Sequence, residues 1–396
     1  MSACRAPVLK MVFRRSLTAI AVLLPLWLTG CVDLPQQSPV SPGDLAWVRS
    51  GAGLLSQTDN SEIENPSALL HVTDEMRHYA QEVTHGRFGV SARTTALAGA
   101  LGADSGLHLR YDTDATLTAE QAFAQKRVNC LSYTMLFVAL ARTVGIRTQF
   151  NEVEVPPIWG LGDATTSLLY RHVNARVELL PPLAMIVDVN LDAYDPRYEQ
   201  HVISDDDAAA QFYNNRAVEL RLQQHYADAL RYQLRAIDLA PNGAYLWSNL
   251  ASLYLRDGNS RAARIAVTHS LQLDDHSIEG YNTAALVYQQ LGEPALAARF
   301  RKLAQYYIDQ NPYYHYQLAL AALDRQDEHQ AYIETRRAIQ LDREEPRFYF
   351  LQAVLLEHQG KIRQADESMQ TALSLAHDPA QQQRYRYKFA QLTGHS

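Results

Sequence analysis

Three residues in the first half of the chain have the types and order needed for a thiol nucleophile: Cys130, His172 and Asp188. Cys130 follows Asn129 at the head of the stretch N-C-L-S-Y-T-M-L-F-V-A-L-A-R-T-V-G, which ends at Gly145. Asn129 can cap a helix start, Gly145 can close the helix in a left-handed turn, and the residues between are apolar on almost every face, as in a helix at the centre of a domain. At the first turn of such a helix, open backbone N–H groups and the positive end of the dipole favour thiolate over thiol, the form in which cysteine attacks a carbonyl. The bland alternative is a buried structural cysteine, because free Cys is among the most buried residue types.

The imidazole and the carboxylate come from two alternating segments, His172 to Val177 and Leu183 to Asp188. A hairpin loop from Glu178 to Pro182 would pair Val177 with Leu183, Ala175 with Met185 and Val173 with Val187, which leaves one face apolar. That register sets His172 directly opposite Asp188, where a carboxylate can orient an imidazole and stabilise its charged form. Taken singly, His172 reads as an ordinary strand histidine and Asp188 as a strand-end cap; with Cys130 they outline acyl transfer through a thioester.

A cysteine at a helix start, Ala141-Arg142-x-x-Gly145-Ile146 at its end, a histidine on one strand and an aspartate on the next resemble the transglutaminase-like superfamily, thiol enzymes of papain-like fold. The resemblance covers roughly residues 67–205 and implies an α+β domain. It assigns Cys130 as nucleophile, His172 as general base and acid, and Asp188 as the orienting acid. Many members carry Trp two residues after the histidine, where this chain has Asn174. The oxyanion hole would use the Cys130 backbone N–H and an upstream donor, with Gln125 or Gln121 as candidates against the plainer reading of helix-surface glutamines.

The elements that must position these residues follow from local pattern. Leu70, Met76, Tyr79, Ala80 and Val83 have helical spacing within residues 67–84. Glu75 with His78 and Glu82 with His85 twice spell Glu-x-x-His, but on one helix, which reads as a solvated face rather than a metal site. Further helices are expected from Ser91 to Leu101 and from Thr118 to Lys126, the latter opened by a Thr118–Gln121 capping box. Strands are expected from Leu107 to Tyr111 and, by alternation, from Ile146 to Val155. Residues 156–170 read as a loop long enough to form a lid, and the acidic run Ser204-Asp205-Asp206-Asp207 as a linker and helix cap.

The amino terminus reads as a targeting segment. Arg5, Lys10, Arg14 and Arg15 precede an apolar run from Leu17 to Gly30 that is too short to span a membrane as a stable anchor. Leu28-Thr29-Gly30-Cys31 resembles the bacterial lipobox, in which Cys31 becomes the acylated first residue; a non-lipidated signal or a retained anchor is the alternative. Val32, with no Asp in its place, matches the pattern that favours the outer membrane, periplasmic side. Of the three cysteines, Cys4 would be removed and Cys31 blocked, leaving Cys130 as the one thiol of the mature chain. Loss of four basic residues takes the net charge from −7 to −11, which argues against nucleic acid or anionic lipid as partner. Membrane attachment would come from acyl chains.

Past Asp207 the chain repeats. Alanine recurs at 229, 263, 297, 331 and 365, and again at 217, 251, 285, 319 and 353, a period of 34 without insertion. Positions 239, 273, 307, 341 and 375 read Leu, Leu, Tyr, Leu, Leu. This resembles tetratricopeptide repeats, with small residues where paired helices touch, and so points to transglutaminase-like lipoproteins that carry such repeats. Five repeats fill 210–243, 244–277, 278–311, 312–345 and 346–379, and the remaining residues can form a capping helix. The resemblance implies that first helices line a concave groove, where Asn214, Asn215, Asn249, Asn282, Tyr313, Tyr316 and Phe350 would meet a peptide.

The expected organisation is thus a signal over 1–30, a tether over 31–66, a papain-like α+β domain over 67–205, and an all-α solenoid over 206–396. No cofactor is expected, since no phosphate loop, dinucleotide fingerprint or cysteine-histidine metal pattern is present. Two functions stay open: a thiol enzyme whose repeats bind protein or peptide, and an envelope scaffold without catalysis.

Overall fold

The computed structural model describes residues 39–54, 63–102, 106–155, 158–159, 167–168, 171–180, 183–189, 198–376 and 379–393. The signal segment and Cys31 lie outside the described residues. The first helix, α1 (Pro42–Arg49), starts on a proline and is capped by Ser41, whose hydroxyl accepts from the Asp44 N–H. It lies within the segment expected to be a tether. Val48 is fully buried, its carbonyl accepts from the Tyr254 hydroxyl at 2.5 Å, and the Arg261 guanidinium lies 4.8 Å over the Trp47 ring. Residues 42–54 are therefore packed on the second repeat, and Glu64 is held in turn by the Tyr213 and Tyr232 hydroxyls, both at 2.5 Å.

Helices α2 (Pro66–Leu69), α3 (Asp74–Thr84) and α4 (Val90–Ala100) follow. The single helix expected over 67–84 is two, because the Thr73 hydroxyl caps a new start by accepting from the Met76 N–H at 3.2 Å. Glu75, His78 and Glu82 on α3 and His85 just past its end are all exposed. Strand β1 (Arg110–Tyr111) pairs in parallel with β2 (Arg127–Val128), on either side of α5 (Ala119–Gln125). Both halves of the Thr118–Gln121 capping box form.

Helix α6 (Cys130–Thr143) is buried without a break from Leu131 to Ala141. It ends at Gly145, where φ is +73°, and the Ile146 N–H returns to the Ala141 carbonyl at 2.9 Å. Strand β3 (Thr148–Val153) leaves directly from this turn. The two-residue strands β4 (Ile158–Trp159) and β5 (Ser167–Leu168) pair with each other; the rest of the expected lid loop lies outside the described residues. Then come β6 (His172–Glu178), β7 (Ala184–Val187) and β8 (Gln200–Ile203), which with β3 form an antiparallel sheet in the order β7-β6-β3-β8. The sequence pattern offers no strand between Asp188 and Ser204, yet β8 forms there and pairs with β3. Phe150, Val173, Ala175, Val177, Val187 and Ile203 are buried in one apolar core with α6.

The hairpin register differs from expectation by two residues. Ala175 pairs with Val187 and Val177 with Met185, and Leu179 donates to the Leu183 carbonyl at 3.1 Å. Leu183, expected to fill the buried face, is 66% exposed, because the turn closes earlier than the prolines suggest. A two-residue shift keeps every side chain on its own face, so the apolar and polar faces survive it.

The second half is an all-α solenoid. Its helices fall into five antiparallel pairs: α7 (Asp205–Leu222) with α8 (Tyr226–Leu239), α9 (Ala244–Arg256) with α10 (Ser260–Leu273), α11 (Ile278–Gln290) with α12 (Pro294–Asp309), α13 (Pro312–Asp324) with α14 (Glu328–Leu341), and α15 (Pro346–His358) with α16 (Ile362–Leu375). A final helix, α17 (Pro379–Thr393), packs on α15. All ten periodic alanines are at most 2% exposed, which shows why only a small side chain fits where the pairs touch. Ser204 caps α7 and Asp207 reciprocates, so the acidic run forms the helix's first turn. One apolar core runs from α1 through the sheet and into the third repeat, while the last two repeats share a smaller one around Ala319, Ala331, Leu351 and Leu355. The sequence changes character near 206, but the packing is continuous across that point.

Candidate active site

Cys130 is the first residue of α6, half-buried and without a disulfide. Asn129 fixes the helix start: its Oδ1 accepts from the Ser132 N–H at 2.8 Å while its Nδ2 donates to Thr116 Oγ1 at 3.0 Å. One turn on, the Thr134 hydroxyl lies 2.8 Å from the Cys130 carbonyl and 2.9 Å from the Val173 carbonyl. This buried hydroxyl ties the cysteine's turn to the strand that carries the histidine.

His172 opens β6 with its ring mostly shielded. Its Nε2 lies 2.5 Å from Asp188 Oδ2, and its ring also hydrogen-bonds the Cys130 side chain. With Nε2 held by the carboxylate, Nδ1 is the nitrogen left to face the thiol. The contact with Asp188 is diagonal: in the observed register Asp188 falls across from Asn174, and the imidazole reaches past one cross-strand position. Burial pushes the His172 pKa down, but hydrogen bonds and charge from Asp188 and Cys130 outweigh it and raise the value to about 10. Histidine is thereby held as a cation beside the sulfur.

Asp188 is itself built in. Asn174, fully buried, donates from Nδ2 to Asp188 Oδ2 at 3.1 Å and accepts on Oδ1 from Asn151 Nδ2 at 2.9 Å, while Asn151 also donates to Gln200 Oε1 at 3.0 Å. An amide at 174 thus buttresses the carboxylate from inside the sheet. Tyr133, next on the Cys130 face of α6, is pushed up to about 12 by burial and by the Asp188 charge, and stays a neutral phenol. Asn151, Gln200, Tyr133 and Thr134 were not anticipated. Their one signal in the sequence is polarity inside otherwise apolar or half-buried elements, which becomes informative only once burial is known.

The remaining expected residues are more scattered. Gln121 uses its Oε1 to accept from the Thr118 N–H at 3.1 Å within the capping box, and Gln125 is exposed at the end of α5. Asn214, 8% exposed, accepts from Asn249 Nδ2 at 2.8 Å, so these two bind each other across neighbouring first helices. Asn282 is 9% exposed and its Nδ2 has no partner among the described residues. Asn215 is half-buried. Tyr313 donates to Glu345 Oε2 at 2.8 Å, Tyr316 packs on Phe348 with ring centres 5.2 Å apart, and Phe350 stacks on Tyr385 of α17 at 5.1 Å. These rings fill seams between helices, where first helices adjoin. Among the described residues the cluster that could hold a metal is Asp274, Asp275 and His276, exposed at a repeat turn.

No family model and no curated protein matches the chain. Solved structures similar to it include a MamA protein at 18% identity, over 42% of this chain and 91% of that one, with TM-score 0.24. PilF of Pseudomonas aeruginosa is similar at 15% identity over 48% of this chain and 87% of that one, with TM-score 0.26. YrrB, a TPR protein with an unusual peptide-binding site, is similar at 15% identity over 45% of this chain and 92% of its own length, with TM-score 0.24. The tetratricopeptide architecture rests on this chain's own helix pairs and its 34-residue period.

Proposed function

We propose that the chain joins a protein- or peptide-binding repeat domain to a thiol site that performs acyl transfer on a peptide or amide carbonyl. The observation that carries the chemistry is the Cys130–His172–Asp188 contact, with the imidazole 2.5 Å from the carboxylate and hydrogen-bonded to the thiol. The Cys130 sulfur attacks the carbonyl carbon, and the developing oxyanion is met by open N–H groups at the head of α6. The C–N bond breaks as His172 gives its proton to the leaving amine. Water, or an acceptor amine, then gives a proton back to His172 as it attacks the thioester, the C–S bond breaks with its electron pair on sulfur, and the sulfur–imidazolium pair is restored. This chemistry and chain order are those of the transglutaminase-like superfamily, whose papain-like domain we propose for residues 67–205.

The test is intact mass of the mature protein after incubation with envelope extract. Acyl adducts are expected on Cys130 and absent in Cys130→Ser; a wild-type protein that never acquires a Cys130 adduct counts against acyl transfer. A second reading, a scaffold without catalysis, is favoured by the repeat array itself, which occupies the whole second half of the chain. In that case partner capture survives Cys130→Ser unchanged and no adduct forms.

We also propose that Cys31 is lipidated and holds the protein on the periplasmic side of the outer membrane. The support is the Leu28-Thr29-Gly30-Cys31 sequence after a basic, then apolar, leader. Cys31→Ser should release the chain from the membrane fraction or leave it unprocessed; an unchanged mature mass and unchanged fractionation would remove the anchor from the proposal.

A further inference from the structure

Positions 211, 245, 279, 313 and 347 are equivalent in the 34-residue period and read Gln, Tyr, Glu, Tyr, Arg. They form a ridge along the first helices of the five repeats, and the ridge touches the thiol domain repeatedly. Gln211 donates to Glu152 Oε2 on β3 at 2.8 Å. Arg171 donates to Glu152 Oε1 at 2.5 Å and places its guanidinium 4.0 Å over the Tyr245 ring. Glu279 comes close enough for its charge to act on Arg171. At the far end Arg347 donates to the Tyr198 hydroxyl at 2.7 Å and lies 5.1 Å over the Tyr313 ring.

Both gripped residues bear on the site. Arg171 directly precedes His172, and Tyr198 sits beside Glu199, whose carbonyl accepts from the Glu154 N–H at 2.8 Å at the end of β3. The sheet end and the first repeats do not meet flush. A cavity of about 440 Å³ opens between them, lined by Glu152, Arg171, His201, Asp207, Gln211 and Tyr245 among others. The grip therefore depends on a few directed contacts, and a planar guanidinium suits them because it can stack on a ring and bond a carboxylate at once.

We infer that this ridge is a clamp for the chain's own active-site strand, holding Arg171 and Tyr198 and so fixing His172 against Cys130. Arg171 is a positioning residue, acting through its neighbour. The consequence for chemistry rests on the thiol-site reading; the grip itself does not. It also links the two halves, because an arginine-bearing partner segment that entered the ridge would compete with Arg171 for Tyr245 and Glu152.

The experiment uses the full mature chain with Tyr245→Ala, and Tyr387→Ala on exposed α17 as control. Deuterium exchange over residues 171–178 reads the grip, and the pH profile of Cys130 alkylation by iodoacetamide reads its effect on the imidazole. Tyr245→Ala should speed exchange near His172 about tenfold and lower alkylation at pH 6 relative to pH 8 severalfold, with Tyr387→Ala unchanged. Arg171→Lys, which keeps the charge but not the stack, should fall between. Exchange at 171–178 that matches wild type in Tyr245→Ala overturns the clamp whatever the alkylation shows. Wild-type protein without excess reactivity at pH 6 overturns the thiol-site reading instead, and the exchange data still decide the clamp.

Discussion

Cys130 of the native protein is expected to react with iodoacetamide at pH 6 well above the rate of a model thiol, whereas in His172→Ala that excess should shrink and the rate should climb steeply with pH. An ordinary thiol with pKa near 8.5 is only about 0.3% thiolate at pH 6, so its alkylation rises about tenfold per pH unit below that pKa. In this protein the imidazole beside the sulfur keeps its proton to about pH 10, so a cation faces the sulfur throughout the range. Removing it should cost on the order of tenfold in rate at pH 6 and much less at pH 8. The gain over a free thiol is smaller than the thiolate fraction suggests, because a stabilised thiolate is also a weaker nucleophile. Asp188→Ala should lie between wild type and His172→Ala, since it removes the counter-charge but leaves the ring. Some activation should persist in both variants from the helix start, whose Asn129 cap and open N–H groups are untouched. A cysteine modified only after denaturation, or a profile indifferent to His172, would leave the scaffold reading in front.

Much of this site was legible because its parts are local. A helix start before Cys130, an apolar helix body and a Gly145 turn are each fixed by a few neighbouring residues, and the structure carries all three. The approach of His172 to Asp188 was legible for a subtler reason: strand periodicity fixes the face, and a register error of two residues preserves it. The detail that failed was the pairing itself. Pro181 and Pro182 suggested a wider turn, so the direct partner of Asp188 was missed, and it is Asn174 that fills that place. Strand β8 was missed because Gln200, His201 and Val202 are half-buried or exposed, which leaves little alternation to read. The clamp was also illegible, since the 34-residue period places Tyr245 and Arg347 in one row but cannot say that Arg171 and Tyr198 come to meet them. Contacts between domains depend on where two folded surfaces happen to face, and no local pattern encodes that. The same limit applies to the groove asparagines: the repeat register set Asn214 and Asn249 on neighbouring first helices, but not that they would bond each other.

In a Cys130→Ser background, stability should fall as pH rises from 7 towards 10, and His172→Gln should flatten that fall. The sign follows from the direction of the shift. The His172 pKa is about 10 in the folded chain against 6.5 as the ordinary value, so the folded state holds a proton that the unfolded state releases. The stabilisation is therefore fully present below about pH 6.5 and is lost as pH climbs through the folded value, with a limiting slope of about 1.4 kcal/mol per pH unit. For a ring that is 18% exposed and bonded to a carboxylate 1% exposed, little of this is screened away, and the total is on the order of a few kcal/mol. Tyr133, raised to about 12, is held in its neutral form, so it adds a further loss only above about pH 10. His269, whose pKa burial pushes down, acts only below neutrality, and a Cys130→Ser background removes the thiol, whose own titration at about pH 8.5 in the unfolded chain would otherwise offset the effect, so in that background the window from 7 to 9.5 reads His172. Equilibrium unfolding in urea at several pH values across that window provides the measurement. His172→Gln lacks the titrating group, so its unfolding free energy should be lower at pH 7 and should change little by pH 9.5. A Cys130→Ser chain whose stability is level between pH 7 and 9.5 would mean that the imidazole is not held as a cation. That result would remove the charge on which both the thiolate and its approach to a carbonyl depend.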